Sequence, residues 1–137
     1  MDCRASIEEE DRKRAEHVIR ENNRVLAGVE ALRRGDPGPL GELMLQSHSS
    51  SRDLLGNSCA ELDFLVESAS SLPGFIGGKL SGGGFGGATV NLVEQDAAEE
   101  FQARLASACA NRFAAPVRIF VTKIGNGARL LGKPLGS

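Results

Sequence analysis

Tryptophan and tyrosine are absent from this 137-residue chain and phenylalanine occurs six times, so aromatic residues make up only 4% of it. A nucleic-acid surface built on base stacking needs such rings and an excess of positive charge. The chain carries 16 basic against 18 acidic side chains, a net charge of −2, so nucleic acid is not expected as a partner. Histidine occurs only as His17 and His48, which excludes a multi-histidine metal site. Cys3, Cys59 and Cys109 are odd in number and lack the close spacing of zinc ligands, so reduced thiols and a cytoplasmic location are expected. No apolar run approaches the length of a membrane span, and Met1-Asp2-Cys3-Arg4 leads into acidic residues rather than a signal-peptide core, so no membrane partner is expected.

What remains is a composition of 41% hydrophobic and 25% charged residues, which fits one globular domain over 1–137. Ser6 with Glu9 forms a capping box, and Ala15, Val18, Ile19, Val25, Leu26, Val29 and Leu32 follow at helical steps toward Gly35. Up to Arg34 this stretch holds eight acidic and eight basic side chains, a solvated and paired face. Asp36-Pro37-Gly38-Pro39 breaks the chain, and Leu40, Leu43, Met44 and Ser47 mark a second helix that fades before Gly56. Ser58 with Glu61 repeats the capping signature for a third helix closed by Pro73-Gly74. From Phe75 the period becomes two, with strands over Phe75 to Ser81 and Ala88 to Glu94. Asp96 and Glu99 open a fourth helix whose inner face is Phe101, Leu105, Ala108 and Cys109. Val117, Ile119 and Val121 then alternate as a third strand, and Ala128 to Leu131 read as a short last one. This order predicts an α+β fold, a small, mainly antiparallel sheet with helices packed on one face. An open sheet edge would seek a partner, which makes self-association an expectation.

Glycine is the abundant residue: eight of the seventeen lie between Gly74 and Gly87. Glycine adds nothing to a core and loses the most freedom on ordering, so this main chain is needed bare for tight torsions or for close approach by another group. Gly82, Gly84 and Gly87 satisfy G-x-G-x-x-G, but a strand follows the loop where a dinucleotide fold requires a helix, and no Lys-Ser/Thr follows for a Walker loop. The loop is read either as a backbone nest for an anion or as a wide structural turn. Of the other candidates, His48 among serines reads as a capping or surface residue, Lys79 as a solvated strand residue and Cys59 as an inert buried thiol.

The run Gly78-Lys79-Leu80-Ser81-Gly82-Gly83-Gly84-Phe85-Gly86-Gly87-Ala88-Thr89-Val90 resembles the third signature motif of the GHMP small-molecule kinases, in its galactokinase form. Arg14-Ala15-Glu16-His17-Val18-Ile19, Glu21-Asn22, Leu43-Met44, Ser47-His48, Ser58-Cys59, Glu61-Leu62-Asp63 and Gly127-Ala128 resemble that family in the same order. Ala60 stands where the family usually has Pro, Ala88 where it has Cys, and Leu54-Leu55-Gly56-Asn57 where an acidic and aromatic stretch is common. The resemblance implies the ferredoxin-like C-terminal domain of a GHMP kinase, without the N-terminal domain that carries the sugar signature, the phosphate loop and the catalytic Arg and Asp. It implies no catalytic residue in this chain. Ser81, Gly82, Gly83, Gly84, Phe85 and Gly86 would line the cleft of an enzyme that phosphorylates galactose at its anomeric hydroxyl with ATP and Mg2+. The isolated chain would then be inactive and its partner would be the N-terminal domain. The second reading is a stand-alone, non-catalytic binding or assembly module.

Overall fold

The computed structural model describes residues 8–114 and 116–125. Its first helix, α1, runs over Glu9–Arg34, with Glu9, Glu10 and Asp11 in the first turn and Arg33 and Arg34 in the last, charges that complement the helix dipole at both ends. Gly35 ends it in the left-handed conformation at φ 69°, where its own N–H and that of Asp36 satisfy the carbonyls of Leu32 and Ala31. The capping box begins at Ser6, which lies outside the described residues.

Asp36 starts α2, Pro37–Ser50, by accepting the Gly38 N–H at 3.1 Å, and Pro37 fills the first position, where no N–H is needed. A π-helical turn over Ser51–Leu55 follows and is closed by Gly56 at φ 72°. Helix α3 spans Ala60–Ser70, but its cap differs from the expected one. Cys59 takes the N-cap position without a side-chain bond, because the Ser58 hydroxyl is drawn away to the Asp63 carboxylate at 2.6 Å.

Strands β1, Phe75–Ser81, and β2, Ala88–Val93, pair antiparallel, with Ser81 opposite Ala88 at the loop end and an irregularity between Phe75 and Gly77. Helix α2 lies directly on β1. A Cβ on Gly41 would overlap the Ile76 main chain, and one on Gly77 would overlap Gly41 itself. After a 3-10 turn over Gln95–Ala97, α4 spans Ala98–Arg112 and closes the core. Ala69, Phe101, Leu105 and Cys109 are buried there, with Phe75 and Phe101 stacked at 6.4 Å between ring centroids. Burial raises the pKa of the Cys109 thiol, as expected of an inert core cysteine.

The third strand is corrected. Residues 116–125 form no ladder among the described residues, and the alternation that suggested one holds only in part: Val117 and Ile119 pack on the core and Arg118 and Phe120 are exposed, but Val121 is exposed too, against the period. Within the described residues it is held by the packing of Val117 and Ile119 and by Gln102, whose Nε2 donates to the Ile119 carbonyl at 3.2 Å. The sheet among the described residues is therefore two-stranded. The short strand expected over Ala128 to Leu131 lies outside the described residues.

Candidate functional site

The glycine loop joins β1 to β2, and Gly82, Gly84, Phe85 and Gly86 all have positive φ, at 71°, 80°, 52° and 86°. Three of these four torsions are ones that glycine adopts freely. The exception is Phe85, a left-handed aromatic residue 77% exposed at the loop tip.

Asn57 holds the tip. Its carbonyl accepts the Phe85 N–H at 2.9 Å and its Nδ2 donates to the Gly83 carbonyl at 3.2 Å. A Cβ on Gly84 would overlap the same Asn57 carbonyl, so that glycine is required by packing as well as by torsion. Gly87 closes the turn onto the Gly84 carbonyl at 3.1 Å. The amides of Gly82, Gly83, Gly84 and Gly86 find no hydrogen-bond partner among the described residues. Gly83 is the informative position. Its φ is not positive and a Cβ there would meet open space, so nothing within the described chain explains why it is bare.

The base of the loop is fixed from α2. His48 is 4% exposed, and its Nδ1 accepts the Leu80 N–H at 3.3 Å, one residue before the loop begins. Its Nε2 lies 3.1 Å from Asp63 Oδ1, an electrostatic contact without hydrogen-bond geometry. Burial above all lowers the His48 pKa below 6.5, with Asp63 opposing, so the ring stays neutral and keeps its acceptor nitrogen. The surface or capping role expected for His48 is thus corrected: it is a buried support of the strand that leads into the loop.

Lys79 is not free in solvent either. Its Nζ lies 3.1 Å from Glu21 Oε1, which also accepts the Ser47 hydroxyl at 2.5 Å, while Arg24 bonds the other carboxylate oxygen at 2.8 Å. Burial alone would raise the Glu21 pKa, but these three donors outweigh it and bring it from 4.5 to about 2. Beside them His17 meets the Ser50 hydroxyl at 2.8 Å. Together His17, Glu21, Asn57, Lys79, Ser81 and Gly82 line a shallow polar cavity of about 270 Å³ at the foot of the loop. A larger depression, about 420 Å³ between α1 and α2, is away from the loop.

The six residues named from the sequence therefore form one turn, in which the Gly82, Gly83, Gly84 and Gly86 amides are unpaired among the described residues and a Cβ on Gly82, Gly83 or Gly86 would meet open space. The residues that hold them, Asn57, His48 and Glu21, were not legible as a group. Asn57 carries a faint signal, since it follows a left-handed Gly56 at the end of a helical segment. Cys59 is half-buried rather than buried, and the Glu61 pKa is lowered first by that residue's own amide and then by the Cys59 thiol. No three His, Cys, Asp or Glu side chains come together as a metal site among the described residues, and no described helix is long and apolar enough to cross a membrane.

Residues 29–111, from the end of α1 through nearly all of α4 and including the glycine-rich hairpin, match a family whose description is GHMP kinases C terminal. The chain belongs to that family. It is similar to the galactokinase of Roseiflexus sp. strain RS-1, 44% identical over 116 residues, 85% of this chain and 30% of that protein. To the human galactokinase it is 38% identical over 129 residues, 94% of this chain and 32% of that protein. Among solved structures, Lactococcus lactis galactokinase complexed with galactose matches with a TM-score of 0.75 and 33% identity, covering 80% of this chain and 28% of that one. The chain thus spans about 30% of the length of these relatives and is a galactokinase-type C-terminal domain.

Proposed function

We propose that this chain supplies the C-terminal wall of the substrate cleft in an ATP-dependent kinase that phosphorylates galactose at its anomeric hydroxyl. Gly83 carries the reading: it is bare without any reason internal to the described chain, and it sits among four unspent amides. Unpaired neutral N–H donors suit phosphate oxygens, which are acceptors only. Ser81 through Gly86 give those amides and steric room, with neither an acid nor a base among them. Asn57 and His48 keep the loop in position, and Glu21 ties Lys79 down beside it.

Phosphoryl transfer proceeds mainly by positioning and charge stabilisation. The acid–base and charge-neutralising groups would come from the preceding part of a galactokinase-length chain. Mg2+, where it accompanies ATP, neutralises charge on the transferring phosphates, and with no acidic cluster among the described residues it would be carried by the nucleotide and that other part. The cytoplasm is where such an enzyme meets ATP and sugar. The comparisons do not favour the alternative of a stand-alone assembly module.

The test is reconstitution. This chain alone should show no galactose-dependent ATP turnover, and adding the separately produced preceding segment of the Roseiflexus galactokinase should give turnover with a sugar 1-phosphate as product. Turnover by the chain alone, or none by the mixture, would refute the reading.

A further inference from the structure

Lys79 carries charge that its ion pair does not consume. Its Nζ lies 3.1 Å from Glu21 Oε1, but the Ser47 hydroxyl donates to that same oxygen and Arg24 holds the other one at 2.8 Å. Arg24 alone balances the carboxylate, which stays ionised with a pKa of about 2 in spite of its burial. Two cations around one carboxylate leave one positive charge over. Arg24 is 12% exposed against 31% for Lys79, so that charge is presented to the surroundings through Lys79. Lys79 and Ser81 stand two residues apart on one face of β1, with Val90 paired to Lys79 across the hairpin, and all three line the cavity at the foot of the glycine loop.

We infer that this cavity is an oxyanion site in which the Lys79 ammonium is a direct ligand of a phosphoryl group, an inference that rests on the function proposed above for the origin of that group. An ammonium has three protons; Glu21 takes one, and no other acceptor for Lys79 Nζ is found among the described residues. Gly82 adds an unpaired amide with open space where a Cβ would stand, and Ser81 adds a hydroxyl. Glu21 is the one carboxylate among the lining residues, and Arg24 already balances it. Donors and a net positive charge in one recess suit a group that only accepts, and lysine binds phosphate as a point charge. The amides of Gly83, Gly84 and Gly86 at the loop tip are neutral, so it is Lys79 that makes the site prefer a charged ligand.

The experiment titrates inorganic phosphate into the full chain at constant ionic strength, followed by calorimetry and by the amide resonances of Ser81 and Gly82. A ligand and a mere strut between β1 and α1 give opposite signs for Glu21→Gln. As a ligand, Lys79 loses its competitor, and phosphate should bind about fivefold more tightly, the effect of removing one nearby like charge. As a strut, Lys79 would lose its anchor and binding would weaken, as in Lys79→Met. Lys79→Met should bind at least about tenfold more weakly, the loss of one charge-assisted hydrogen bond, and Lys79→Arg should recover most of that loss. Competition separates the two sources of the phosphoryl group. Displacement of phosphate at lower concentration by ATP assigns the site to the nucleotide, and at lower concentration by galactose 1-phosphate to the product; displacement by neither overturns it. No shift at Ser81 and Gly82, full binding by Lys79→Met, or weaker binding by a folded Glu21→Gln also overturns the site, while turnover in the reconstituted mixture would leave the proposed function standing. The expected signs without turnover in that mixture keep the oxyanion site and remove the function. If the melting curve shows that Glu21→Gln does not fold, the wild-type chain decides: saturating phosphate should slow acylation of Lys79 and leave Lys13, which does not line the cavity, unchanged, and equal acylation with and without phosphate overturns the site.

Discussion

Asn57 is the residue on which the glycine loop turns, and its two bonds are not equivalent. The backbone bond to Phe85 survives any substitution, whereas the side-chain bond to Gly83 does not. Asn57 Oδ1 is buried without a partner, so Asn57→Ala removes one favourable and one unfavourable contact. Global stability should change by less than about 1 kcal/mol while amide exchange at the loop tip speeds up about fivefold, the effect of one lost hydrogen bond. Equal acceleration across β1 and β2 would show that the clamp is not local. Phe85 holds a left-handed torsion that Asn tolerates and a β-branched residue does not. Phe85→Val should therefore be less stable than Phe85→Asn by about 1 kcal/mol in chemical denaturation.

Two titrations set the acid limit, and both have the same sign. The folded pKa of Glu21, about 2, lies below its ordinary 4.5, so its stabilisation is present above 4.5 and lost as pH falls toward 2. His48 is held neutral with a folded pKa below 6.5, so the unfolded chain takes up its proton first and stability declines as pH falls from 6.5. Unfolding free energy measured against pH should fall in these two windows, and Glu21→Gln should flatten the lower one. A profile unchanged by Glu21→Gln would show that the bonds from Ser47, Arg24 and Lys79 do not distinguish the ionised carboxylate.

Among the elements, the contact of α2 with β1 determines where the loop sits, because it carries both His48 and the Gly41–Gly77 approach. At Gly41 a methyl group would meet the Ile76 main chain, which cannot rotate out of the way as a side chain would. Gly41→Ala should cost about 1–3 kcal/mol, the usual penalty of overpacking. Helix boundaries were readable from caps and periods: α1 ends at Gly35, α2 begins behind Asp36, and β1 and β2 fall on the alternating segments. Residues 116–125 show where such reading stops. Alternation reports which side chains face a core, and Val117 and Ile119 do, but a ladder also needs a neighbouring main chain.

For the molecule as a whole, the proposed association with the preceding part of a galactokinase-length chain has a thermodynamic consequence. A partner that binds only the folded chain raises its stability by mass action, by about 2.7 kcal/mol at one hundred times the dissociation constant. The melting temperature of this chain should accordingly rise with the concentration of the preceding galactokinase segment. A constant melting temperature would contradict the proposed association.

Local spacing along the chain was enough to establish the helices, the hairpin and the glycine loop, since each is written in residues only a few positions apart and governed by backbone torsion and one-face burial. The family resemblance lay in the same local motifs. Folding was required to bring Asn57 to Gly83 across 26 residues, His48 to Leu80 across 32 and Lys79 to Glu21 across 58, and to leave one face of α1 uncovered. Such partners share no period and no motif. They are chosen by how α1 and α2 pack against β1, and that packing depends on contact geometry that neighbouring residues do not encode.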